Sequence, residues 1–246
     1  MKYAYYNESI PKEQRAELNE KVLYLIDSNT AEENGITCED MYNAYTGDGG
    51  LHGLDRKDFD NYHTYSEAKK EIENGQFFTP PKLCQYIMQS LMLSAGDTVA
   101  DLACGMGSFF NFAPSEENIY GCELDIKAFK VAHHLYPAAH IEWQDIRNYQ
   151  PGIRFDYVVG NPPFHLKWMI DGDENMESQL YYCVKAAQLL KPLGILAILV
   201  PKSFLADTFL DAKKIKLMET HFSYLGQVTL PDNSFSHLGV TSFATK

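Results

Sequence analysis

The chain has little of what would place it outside a cell or inside a membrane. Its 246 residues include 5 cysteines (Cys38, Cys84, Cys104, Cys122 and Cys183), odd in number, widely scattered and without a C-x-x-C pair. That pattern argues against a disulfide framework and against a structural zinc site. No apolar run approaches the ~18 residues needed to span a bilayer. The opening MKYAYYNESIPKEQ has no apolar core of the kind a secretory signal needs. A reduced, cytoplasmic protein with no membrane association is the expectation. Internal repeats and low-complexity tracts are also missing. So is a basic excess: 21 Lys and Arg stand against 33 Asp and Glu, a net charge of −12. A nucleic-acid protein should show a basic footprint. The deficit sits mostly at the front, where residues 1–75 carry 8 basic against 16 acidic residues, leaving 13 against 17 for residues 76–246. The second segment can still host a local basic face, so charge neither supports nor excludes DNA.

What is present suffices for a large core, with 45% hydrophobic residues and 13% aromatics. PKEQRAELNEKVLYLID places Pro11 near a helix start and Leu18, Val22, Leu25 and Ile26 on one face. TGDGGLHGLDRKDFDN reads as a loop, and SEAKKEIENG as a short polar helix stopped by Gly75. From residue 76 the texture changes. TPPKLCQYIMQSLML predicts an amphipathic helix with Thr79 as N-cap and Pro80 in its first turn. Beyond it, the apolar runs TVADLA, NIYGCEL, AHIEW, FDYVVG and GILAILVP alternate with helical stretches at about 106–112, 125–135 and 176–191. Strands separated by helices imply a parallel sheet with right-handed crossovers. HFSYLGQVTLP and GVTSFATK are expected as a last, antiparallel pair. The fold class is therefore α/β, with a small helical N-terminal segment (1–75) before the main domain (76–246). The chain stops inside its final apolar run, and the expectation is that the domain is truncated there.

In such sheets ligands bind at the carboxyl ends of the strands, so the residues that follow each strand matter most. The first strand runs into DLACGMG, an acid and two glycines before a helix start. Small residues let the backbone approach a ligand, and a helix N-terminus offers unpaired N–H groups. GMG alone is a weak signal, and G-x-G-x-x-G is not met because Phe110 takes the third glycine's place. The second strand ends at Glu123, placed to bond ribose hydroxyls. The third is followed by Asp145, facing a base edge, with Ile146 beside it as an apolar surface. The fourth runs directly into GNPPF, residues 160–164. Its two prolines remove two backbone donors and fix two backbone angles, so the chain there is neither helix nor central strand. Singly, each feature is an ordinary turn, cap or solvated acid. Four in succession at four strand ends mark a functional rim.

GQFFTP, DLACGMG, GCELD and GNPPF, in that order over residues 76–246, resemble the gamma-class N-6 adenine DNA methyltransferases of restriction-modification systems. The resemblance implies a Rossmann-like sheet that binds S-adenosyl-L-methionine and methylates adenine in DNA, the target base being flipped out. It implies that Phe78, Thr79 and Pro80 pack over the cofactor. Asp101, Ala103, Cys104, Gly105 and Gly107 would hold its methionine end, Glu123 its ribose, and Asp145 and Ile146 its adenine. Asn161, Pro162, Pro163 and Phe164 would form the catalytic loop, with Asn161 also near the cofactor. Leu102 stands where proline is usual, and Met106 where a small polar residue is usual. Nothing resembles the family's region for reading DNA, so that unit is expected on another segment or chain.

Several tempting sites are discounted. His133 and His134 are adjacent on a helix and cannot share one metal. The acidic run from Asp171 lacks the glycine and twelfth-position acid of a calcium loop, and reads as a mobile loop. Lys213, Lys214 and Lys216 read as a solvated face, and His165 as pocket lining or loop support. Two other readings stay open: methyl transfer to an RNA base or a protein glutamine, and a cofactor-binding module inactive without its recognition region.

Overall fold

Five of the apolar runs form one sheet in the structure, a computed structural model that describes residues 1–6, 10–46, 56–66, 77–164, 166–170, 174–205 and 212–235. The strands are β1 (Val99–Asp101), β2 (Ile119–Glu123), β3 (His140–Trp143), β4 (Phe155–Gly160) and β7 (Leu190–Ile198). They lie in the order β3-β2-β1-β4-β7, and every neighbouring pair is parallel. Strand order reverses at β1, which makes the β1/β4 crevice the topological switch point of a Rossmann-like α/β sheet. The central strands β1 and β4 are short and strongly apolar because helices cover both faces.

The helices are α1 (Lys12–Ser28), α2 (Cys38–Ala44), α3 (Pro81–Ser90), α4 (Ile126–Leu135), α5 (Ser178–Leu189) and α6 (Ala212–His221). On one sheet face the N-terminal segment and the main domain share a core: Tyr3, Val22, Leu25, Met41 and Tyr42 pack with Phe110, Leu135 and Tyr136. Polar bonds fix the join. Asn111 accepts the N–H groups of Lys2 and Tyr3 at 3.0 and 2.6 Å, and returns its own Nδ2 to the Tyr3 carbonyl at 2.9 Å. On the other face Tyr149, Phe155, Tyr182 and Ala186 form the core under α5.

Four expectations are corrected. The helix read at 106–112 is a single 3-10 turn, Phe110–Phe112. Gly105 and Gly107 take φ of +56° and +82°, left-handed values that interrupt any helix opening there. Thr79 is not a cap: α3 begins at Pro81, Pro80 holds the N-cap position without a side-chain bond, and Thr79 is buried. The acidic run is not a loop throughout. Glu174–Glu177 is a strand, β6, paired antiparallel with β5 (Lys167–Ile170), so α5 starts at Ser178. The register sets Lys167 opposite Glu177 and Trp168 opposite Met176, one charge pair and one apolar pair. Finally, residues 222–230 form no strand and expose Tyr224, Leu225 and Val228. GVTSFATK, most of SEAKKEIENG, residues 47–55 of the expected loop TGDGGLHGLDRKDFDN, His165 and residues 171–173 lie outside the described residues. No helix among the described residues is long and apolar enough to cross a membrane.

Candidate functional site

A cavity of about 260 Å³ opens at the switch point. Every strand end singled out in the sequence contributes to it: Asp101, Ala103, Cys104 and Gly105 after β1, Glu123 after β2, Asp145 and Ile146 after β3, Asn161 and Pro163 after β4. Phe78 and Thr79 close it from the N-terminal side.

The glycine loop is shaped by its neighbours. A Cβ on Gly105 would stand 2.6 Å from the Phe78 ring, so only glycine lets that ring lie on the loop. This contact joins the FFTP and CGMG segments. The Gly105 N–H donates to Glu123 Oε2 at 2.7 Å, and the Asp125 N–H to Oε1 at 2.8 Å. Glu123 therefore fixes the loop while it lines the cavity. Gly107 is not on the wall; a Cβ there would meet Tyr136 and Phe110 at 2.7 and 2.8 Å. Pro80, Pro162 and Phe164 are likewise not among the lining residues, and Phe164 is only 8% exposed.

Three acids, Asp101, Glu123 and Asp145, line the cavity against one cation, Arg147. Burial pushes the Asp101 carboxyl up to about 7 despite the Ala103 N–H that donates to it at 3.1 Å, and burial also raises Glu123. Asp145 is held below the ordinary carboxylate range, chiefly by its hydrogen bonds with the Arg147 side chain, which grips it at 2.5–3.0 Å. Arg147 is thus consumed by Asp145, and two buried acids remain. Such a wall disfavours a phosphate and suits a cation.

Asn161 is oriented by one bond. Its Nδ2 donates to the Phe77 carbonyl at 2.8 Å, an atom that can only accept. Its Oδ1 is consequently the atom left over, and it is buried with no partner. The loop that follows is anchored at its exit. Ser178 Oγ donates to the Pro163 carbonyl at 2.5 Å, and the Ser178 N–H to the Leu166 carbonyl at 2.9 Å.

Sequence reasoning missed several wall residues, among them Phe77, Leu166, Trp168 and Arg147. Trp168 stands on the wall beside Asn161 and Pro163, with its ring against Tyr181 at 5.5 Å. No local signal marks it: β5 is four residues long and followed by an acidic run. Lys214 is engaged with Glu177 at 2.7 Å on the far side of the hairpin.

Comparison with known proteins places this geometry in a family. Over 245 residues the chain is 21% identical to the Defense against restriction protein B of Escherichia phage P1, covering 93% of this chain and 10% of that protein. It thus spans about a tenth of that relative's length. A putative class I S-adenosylmethionine-dependent methyltransferase of Listeria monocytogenes shares the fold, with a TM-score of 0.55 at 14% identity over 93% of this chain and 86% of that one. A structure from a type I R-M system aligns at a TM-score of 0.53 and 20% identity, over 74% of this chain and 45% of that one. The profile of the N-6 DNA methylases matches residues 61–242, which take in every strand of the sheet and every wall of the cavity. The chain belongs to the N-6 DNA methylase family.

Proposed function

We propose that the protein transfers a methyl group from S-adenosyl-L-methionine to the exocyclic N-6 amine of adenine in DNA. The observation that carries the reading is the buried, unpartnered Oδ1 of Asn161 at the tip of β4. An adenine amine is a poor nucleophile because its lone pair is delocalised into the ring. Two fixed acceptors on its hydrogens draw that nitrogen towards tetrahedral geometry. Asn161 Oδ1 is one, and the Pro162 backbone carbonyl is the other. Phe77 holds the amide and Ser178 holds the loop before any base arrives, which is electrostatic preorganisation. Trp168 offers the base an aromatic face on the wall, while Phe164 supports the loop from within.

Bound S-adenosyl-L-methionine supplies an electrophilic methyl group on a sulfonium. The residues present fit it: Asp101 and Glu123 form an acidic wall for a cationic molecule, Glu123 would hold the ribose hydroxyls, and Asp145 with Ile146 would hold the adenine. Catalysis then rests on positioning of the methyl and the amine in line. Sequence-specific reading of DNA needs base-edge contacts from an element set in a groove. In our reading that element belongs to a further region or subunit, and the present chain grips only the flipped base.

Incubation with labelled S-adenosyl-L-methionine and DNA, RNA or protein, followed by analysis of the modified residue, tests the assignment. N-6-methyladenine in DNA is expected. Label appearing only in RNA or in a glutamine side chain would overturn the substrate. Label in none of them, with the cofactor bound, would leave a cofactor-holding subunit.

A further inference from the structure

Beneath the cavity, Tyr182 of α5 joins the two strands that make the switch point. Its hydroxyl lies 3.0 Å from Asp101 Oδ1 and 2.6 Å from the Val159 carbonyl, and accepts the Leu102 N–H at 3.0 Å. Gly160 must be glycine for this reason: a Cβ there would stand 2.2 Å from the hydroxyl. A tyrosine hydroxyl has one proton and two lone pairs. Two oxygens at 2.6 Å require a proton between them, so the hydroxyl donates to Val159 and both lone pairs remain to accept. Leu102 N–H fills one. The other faces Asp101 Oδ1, which satisfies it only if the carboxyl itself carries a proton.

We propose that Asp101 is a neutral carboxylic acid before the cofactor binds, donating to Tyr182, and that binding of the cationic cofactor expels this proton. Tyr182 is then a positioning residue: once Asp101 is ionised, the hydroxyl turns its proton from Val159 to Asp101. The base of the Asn161 loop thereby loses a bond whenever the cofactor site fills. The Ala103 N–H donates to the same Oδ1 at 3.1 Å, a bond that a carboxyl O–H oxygen still accepts, and no other side chain among the described residues supplies the missing proton. The thiols of Cys84, Cys104 and Cys122 face Asp101 from α3, the loop and β2, and burial raises all three, so they stay neutral. Asp145 is paired with Arg147, while Glu123, the other buried acid of the cavity, accepts two backbone N–H groups and bears like charge. Its repulsion favours the neutral form of Asp101. This inference rests on the cofactor reading above.

Calorimetric titration of the full chain with S-adenosyl-L-methionine near pH 6, in two buffers of different ionisation enthalpy, counts the protons. Release of about one proton per molecule bound is expected, with affinity falling about tenfold per pH unit below about 7. Asp101→Asn, whose amide can also donate to Tyr182, should fold, bind the cofactor more weakly and release no proton. Tyr182→Phe removes the acceptor of the acid proton and should move the midpoint of release to lower pH. Binding with equal heats in both buffers overturns the proposal and leaves the cofactor reading intact. Release that persists in Asp101→Asn assigns the proton to Glu123 and also overturns it. A midpoint that rises in Tyr182→Phe shows a tyrosine donating to a carboxylate, with the same consequence. Failure of the wild type to bind at all removes the cofactor reading and the proposal together.

Discussion

At Asn161 one amide serves two purposes, its nitrogen tied to Phe77 and its oxygen left for a substrate. Asn161→Ala should leave cofactor affinity unchanged and slow methyl transfer by roughly 2–4 kcal/mol, as removal of an oxyanion donor does; calorimetry and single-turnover rates check the two halves. Asp101 makes a second statement, about stability. Its carboxyl titrates near 7 in the folded chain against 3.8 unfolded, so the folded state holds a proton that the unfolded state has lost. The contribution is present below about 3.8 and lost as pH rises through about 7. Denaturant titrations across that window should show the decline, and Asp101→Asn should flatten it. These residues were legible in the sequence because each stands at the carboxyl end of a strand, where ligand contacts concentrate. Tyr182 was not: it sits inside an ordinary amphipathic helix, and only its depth reveals the oxygen it places between β1 and β4. Phe164, expected in the catalytic loop, is instead buried and stands off the cavity wall.

The strands of the sheet were readable as apolar runs, and the alternation with helices fixed their parallel sense. The β5–β6 hairpin was not readable. Its two strands have four residues each, and its register, Lys167 opposite Glu177 and Trp168 opposite Met176, connects positions that no local pattern links. Yet this element brings Trp168 to the cavity and delivers Ser178 to the Pro163 carbonyl. Trp168→Ala should therefore weaken binding of adenine-containing single strands by about 1–3 kcal/mol, the usual worth of a base stacked on an aromatic ring. Cofactor affinity should hold, and parallel titrations with each ligand would expose a general collapse of the pocket instead. The short 3-10 turn at Phe110–Phe112 teaches a related lesson. The alternation of strands with helices placed a helix there, but two left-handed glycines interrupt it.

Across the whole molecule the N-terminal segment and the sheet cannot be separated without opening a core. Met41 is fully buried, and it belongs to the cluster that holds Phe110, Leu135 and Tyr136. Met41→Ala should cost about 2–5 kcal/mol, and the loss should appear in one cooperative transition. If separate probes on the segment and the sheet melted apart, the shared core would be refuted. The same architecture fixes where the chain's 2 tryptophans stand. Trp143 ends β3 at the surface, 59% exposed, with its indole N–H on the Leu124 carbonyl at 3.0 Å; Trp168 stands on the cavity wall. The protein accordingly carries its own optical gauge of occupancy. In a Trp143→Phe background, emission excited at the red edge of the tryptophan band comes from the cavity alone, and its quenching should follow a stacked base in real time.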